Sequence, residues 1–313
     1  MNFRKILLVL SPVDFVSIVF LLFLTSLNLI FAARVDSWLL LVLVNLSVIA
    51  LITSLAWGAG MKKTRLLMGL HRWYCYFIII FVFKEIYLMV HPIHPVDYDA
   101  WLIAADHWIF GVDPTRWLAQ FAHPILTEIL QIAYFSYYVL FIILGVELYR
   151  RHEIGDFDKA AFLIVYGFYL SYIGYFALPG VGPRFTLHDF SALNVELPGL
   201  FLTETLRAII NAGESIPADH LHAVAFVQRD VFPSGHTQLT LIVMTLAFRY
   251  RLTSRWVLLS FGSLLIVATV YLRYHYVVDL AGGALLAWFT IWTGDRIERW
   301  WRSRVRAGAN SLT

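Results

Sequence analysis

Read as a pattern of apolar and polar positions, the chain is a series of long apolar runs joined by short charged connections. A membrane span needs about 20 apolar residues at 1.5 Å rise per residue. That length picks out about eight runs: 13–33, 37–59, 73–91, 126–148, 160–178, 236–250, 256–273 and 277–294. The sixth is short, as suits a helix that begins below the membrane surface. The predicted fold is therefore an all-α integral membrane protein with about eight transmembrane helices. Two polar stretches, 92–124 and 180–232, stand out as long connections. The first holds Asp97, Asp99, Asp106 and Asp113 with Trp101, Trp108 and Trp117, aromatics that favour the headgroup layer, so it is expected to lie along the surface. In the second, Leu200, Leu206, Ile209 and Ile210 at near-helical spacing predict an amphipathic surface helix, an anchor or a lid.

Composition agrees. The chain is 60% hydrophobic and only 14% charged, well below the roughly 25% charge of soluble domains. A net charge of +3 gives no reason to expect nucleic acid as a partner. The basic residues serve topology instead: with a cytoplasmic N-terminus, seventeen of the 24 Lys and Arg fall in inner connections and six in outer ones. Both termini are then cytoplasmic. The lone Cys75 lies in an apolar run and reads as packing. The lack of a disulfide framework points to a bacterial inner (plasma) membrane. Residues 1–65 make two N-terminal transmembrane helices and 66–295 one helical bundle. Residues 296–313 form a basic tail attracted to anionic headgroups. Lys84 and Glu85 sit inside the third span; intramembrane charge is costly, and the pair is read as a polar contact between helices.

Candidate chemistry gathers at the outer ends of the later helices. Val231-Phe232-Pro233-Ser234-Gly235-His236-Thr237 is a turn running into an apolar helix, where unpaired N–H groups and the positive dipole end favour an anion. Some forty residues on, His275 and Asp279 stand i, i+4 on a helix start and share a face. A carboxylate beside imidazole fixes its tautomer and makes the other nitrogen a better nucleophile. His236 suits a general acid for a leaving oxygen. Arg184, Ser234 and the amides around Gly235 would stabilise charge on transferring oxygens. With those dipoles and Arg184, no metal or other cofactor is called for. His91, His94 and His107 match no standard metal spacing. His220, His222, Arg229 and Asp230 lie near in sequence, with no spacing that assigns them a role.

Pro233-Ser234-Gly235-His236 and His275-x-x-x-Asp279 resemble the second and third motifs of the type 2 phosphatidic acid phosphatase (PAP2) superfamily. Tyr271-Leu272-x-x-His275-Tyr276-x-x-Asp279-Leu280-x-x-Gly283 extends the likeness. The resemblance implies a six-helix core at about 73–294 preceded by two extra helices. It also implies a phosphohistidine at His275, oriented by Asp279, with His236 protonating the leaving group. Three positions depart from the pattern. Thr269 stands where the third motif has Arg, and Ala177 where the first has Lys, with Phe185 after Arg184. Arg184 carries over as the arginine of the first motif, and Arg273 is the candidate phosphate-binding replacement for the missing third-motif guanidinium. Gly182-Pro183-Arg184 with Thr269-Val270-Tyr271-Leu272 is similar to the branch of Aur1-type inositol phosphorylceramide synthases. The resemblance implies a lipid phosphatase or phosphotransferase acting on a lipid phosphate or phospholipid, with water or a lipid alcohol as acceptor, on the extracytoplasmic face. A rival reading is a lipid or ion transporter or flippase whose polar path includes Lys84, Glu85, His236 and Asp279. A catalytically inactive family member is the third.

Overall fold

The computed structural model describes residues 9–310 except 63, 152 and 218–221, with the backbone alone for 305–310. Three of the inner basic residues, Arg4, Lys5 and Lys63, and also His220 lie outside the described residues. Among those described, every regular element is a helix: α1 (Pro12–Ile30), α2 (Trp38–Lys62), α3 (Arg65–Ile93), α4 (Asp99–Phe110), α5 (Pro114–Ala119), α6 (Pro124–Phe135), α7 (Tyr137–Arg150), α8 (Ile154–Ala177), α9 (Thr203–Gly213), α10 (Gly235–Arg249), α11 (Arg255–Tyr271) and α12 (Val277–Asn310), with single turns between some of them. Five of these, α1, α2, α3, α8 and α12, are long and apolar enough to cross a membrane. The expected span 126–148 is instead two helices, α6 and α7, bent by 49° and making a sixth crossing if they act as one. The break falls at Ser136, whose hydroxyl bonds to the Ala133 carbonyl at 2.7 Å and competes with the helical ladder. The expected sixth and seventh spans are α10 and α11, of 15 and 17 residues, each shorter than a full crossing.

The chain divides into two compact units. The first comprises Met1–Ile93, Ile154–Leu170 and Phe289–Thr313. Its α1 opens with a capping box in which Ser11 and Asp14 satisfy each other's backbone N–H. The buried Asp14 carboxylate also takes the Tyr74 hydroxyl at 2.7 Å and meets the His71 ring at 2.9 Å, which ties α3 to the start of α1. Further along, Phe20 stacks on Tyr169 at 4.3 Å, and the Tyr169 hydroxyl donates to Ser17.

The second unit, His94–Glu153 and Ser171–Trp288, carries both histidine motifs. Leu130, Tyr134, Ala268, Tyr271 and Leu272 join α6 and α11 in one apolar cluster. The amphipathic segment is present as α9, docked on α6. Glu128 of α6 pins its start by accepting from the amides of Leu200, Phe201, Leu202 and Thr203 and from the Thr203 hydroxyl. A carboxylate at a helix N-terminus meets both the unpaired N–H groups and the positive dipole end. Surface helix α4 is amphipathic in an unexpected way: Asp99, Leu102 and Asp106, at i, i+3 and i+7, all face inward and are buried.

Candidate active site

Pro and Gly at the entry to α10 form the predicted turn. Ser234 is the N-cap, its hydroxyl accepting from the Thr237 N–H at 3.2 Å, and its own N–H donates to the Asp279 carbonyl at 3.0 Å. The two motifs are thus joined through backbone before any side chain meets. Gly283 of α12 is required for this approach, since a Cβ there would sit 2.5 Å from the Ser234 carbonyl oxygen.

His275 lies in the turn between α11 and α12 and is 4% exposed. Its Nδ1 is 2.9 Å from the Val231 carbonyl oxygen and 3.3 Å from Asp279 Oδ2. A carbonyl oxygen only accepts, so Nδ1 carries the proton and Nε2 keeps its lone pair. That Nε2 faces Nδ1 of His236 at 3.4 Å. Burial pushes the His275 pKa down to about 4, so the ring is neutral at ordinary pH. The electrostatic pull of Asp230 and the Val231 bond oppose that shift, and Arg184 adds to it. Asp279, fully buried, also accepts from the Tyr276 N–H at 2.8 Å.

His236 is held by aromatic walls. Tyr134 stacks on its ring at 4.7 Å, and Tyr137 packs at 4.4 Å, one from each side of the α6–α7 break. Tyr134 in turn stacks on Tyr274 at 4.2 Å, and the Arg184 guanidinium lies 4.5 Å from the Tyr274 ring centre. Arg184 is 3% exposed; its N–H donates to the Arg273 carbonyl, and its guanidinium bonds Asn211 of α9 and pairs with Glu214. The turn before it needs Gly182, which has φ of +95° and passes the Tyr274 carbonyl too closely for a Cβ.

Sequence reasoning brought His275, His236, Asp279, Ser234, Gly235 and Arg184 to one region, and the structure assembles them there. Arg273 arrives differently. Its left-handed backbone (φ +67°) turns its carbonyl to Arg184, while its guanidinium binds Glu196. Thr269 uses its carbonyl to take the N–H groups of Tyr274 and His275, and its hydroxyl bonds within its own helix. His94 bonds the Phe176 carbonyl and the Tyr98 hydroxyl, and Arg229 the Val227 carbonyl.

Several participants were missed. Asp99 accepts from the N–H groups of Val181 and Gly182 and from the Tyr276 hydroxyl, each within 2.9 Å. Asp106 accepts from the N–H groups of Val277 and Val278 at 2.8 Å, capping α12. Burial raises the Asp106 pKa and those two bonds draw it back. The i, i+7 spacing of these aspartates among apolar residues was the available signal. Glu214, Asn211, Tyr134 and Tyr137 carried none.

The model of a protein family described as the PAP2 superfamily matches residues 100–293, a stretch that contains both histidine motifs and Arg184. No curated protein and no solved structure matches the chain.

Proposed function

The chain belongs to the PAP2 superfamily, and we propose that it is a metal-independent lipid phosphatase or phosphotransferase that cleaves a lipid phosphoester through a phosphohistidine at His275. The observation that carries this reading is the fixed tautomer of His275: Nδ1–H held by Val231 and Asp279, with the Nε2 lone pair 3.4 Å from a second imidazole. Nε2 attacks phosphorus, the ester P–O bond breaks, and protonated His236 gives its proton to the departing alkoxide. The phosphoimidazole keeps its Nδ1–H on Val231 and Asp279. In the second step His236, now neutral, takes a proton from water or an alcohol, whose oxygen attacks phosphorus and releases Nε2. Both imidazoles end as they began. Arg184, with the Ser234–Gly235 turn at the helix start, stabilises the oxygens that gain charge.

The remaining assignments belong to the same proposal. The short helices α10 and α11 complete an eight-span topology, with 1–65 as an added pair and 66–295 as the catalytic bundle. Both termini are cytoplasmic, and the site lies on the extracytoplasmic face of a bacterial inner membrane. The Gly182-Pro183-Arg184 turn and Thr269 are the features shared with the Aur1-type branch, where a lipid alcohol takes the phosphoryl-linked headgroup.

Product analysis tests this. Purified protein in detergent with a chelator is offered phosphatidic acid, a lipid pyrophosphate and phosphatidylinositol, each with and without diacylglycerol or ceramide, beside His275→Ala. Free phosphate that depends on His275 identifies a phosphatase, and headgroup transfer that requires the lipid alcohol identifies a transferase. Flux of a lipid or ion without either product would favour the transporter reading.

A further inference from the structure

Outside the family-matched residues, three helices of the first unit bring buried polar side chains to one point: Asn28 on α1, Asn45 on α2 and Glu85 on α3. Their exposures are 0%, 0% and 2%. Both amides direct Nδ2 at the same oxygen, Asn45 to Glu85 Oε1 at 2.7 Å and Asn28 at 3.2 Å. Asn28 Nδ2 also serves the Leu24 carbonyl at 3.1 Å. The carboxylate dictates this orientation, because only the amide nitrogen can donate to it.

What is left over is one-sided. Glu85 Oε2, Asn28 Oδ1 and Asn45 Oδ1 are buried and accept no hydrogen bond. One carboxylate oxygen and two amide oxygens on the side chains hydrogen-bonded to it, all buried and orphaned, call for a positive centre that several oxygens can share. A proton on Oε2 turns that atom into a donor and satisfies one carbonyl, leaving the other orphaned. A hard cation takes several oxygens at once. Charge selects the valence: one carboxylate with two neutral amides balances a single positive charge, while a divalent ion would leave a net charge buried in apolar surroundings.

We propose that Asn28, Asn45 and Glu85 form an alkali-cation site, with sodium as the ion, that ties α1, α2 and α3 together. Binding there stabilises the folded first unit by mass action, independently of the phosphoryl chemistry.

The test uses the intact purified protein in sodium-free detergent buffer. Binding of ²²Na⁺ is measured directly, and Tm is followed as choline chloride is replaced by NaCl at constant ionic strength. The expected result is saturable binding of one sodium per chain and a Tm that rises by several degrees, both lost in Glu85→Gln, which keeps the side chain's shape and removes its charge. Asn45→Ala, which removes one ligand, should weaken sodium binding several-fold while leaving it measurable, and stands in should Glu85→Gln fail to fold. No saturable sodium binding by the folded native protein would overturn the proposal. So would a sodium response retained in Glu85→Gln, or a Tm governed through Glu85 by pH alone.

Discussion

His275 Nδ1 lies closer to the carbonyl oxygen of Val231, at 2.9 Å, than to the carboxylate of Asp279, at 3.3 Å. The backbone, more than the acid, fixes the tautomer. Asp279 is also committed to the Tyr276 N–H. Asp279→Asn should therefore keep the loss in kcat below the roughly 10⁴-fold that a wrong tautomer costs. Steady-state kinetics of the folded variant check this, and a loss as deep as that of His275→Ala would give Asp279 the leading part.

His236 touches Nε2 of His275 and packs against Tyr134 and Tyr137, the place for a proton donor to the leaving group. His236→Asn should lower kcat with a lipid alkyl phosphate by about 10²–10⁴-fold. An aryl phosphate, whose leaving group needs no proton, should lose far less. Equal losses for the two substrates would remove His236 from that role.

The guanidinium of Arg184 is paired with Glu214, so a phosphoryl group entering the site competes with a carboxylate. Glu214→Gln should strengthen inhibition by orthovanadate several-fold. Arg184→Ala should lower kcat/KM by about 10²–10³-fold, the usual cost of one oxyanion donor. Inhibition constants for both variants measure the two effects.

The acid limb of activity should lie low. Free imidazole is half protonated near 6.5, while His275 is held neutral down to about 4. Because Nε2 must be unprotonated to attack, kcat/KM limited by this group should stay level through 6.5 and fall only towards 4. Stability moves differently. Between 6.5 and 4 the unfolded chain takes up a proton that the folded chain refuses, so stability falls as pH drops across that window. His188, also lowered to about 4 by burial, contributes with the same sign. Replacing both histidines with Gln should flatten that part of the Tm-against-pH curve.

Much of this was legible in the chain. Apolar run lengths gave the helical membrane class, and Pro-Ser-Gly-His with His-x-x-x-Asp gave the two motif turns. The rest depended on information that residue types do not carry. The partner that orients His275 is a backbone carbonyl, which any residue at 231 supplies. The break at Ser136 hangs on one hydroxyl choosing a local carbonyl within an otherwise continuous apolar run. Asp99 and Asp106 read as surface acids because aspartate is mostly exposed, yet their backbone-amide partners lie more than eighty residues away in sequence. Arg184 was found, but Glu214 opposite it lies in a stretch with no distinguishing pattern.

Catalysis by this route passes through a covalent bond between phosphorus and Nε2 of His275. The most direct measurement is to mix the protein with a ³²P-labelled lipid phosphate, quench within a turnover in alkaline denaturant, digest, and locate the label by mass spectrometry. Label is expected on the peptide carrying His275, absent in His275→Ala and retained longer in His236→Asn with an aryl phosphate as donor. Turnover with no labelled peptide, or label on another residue, would contradict it.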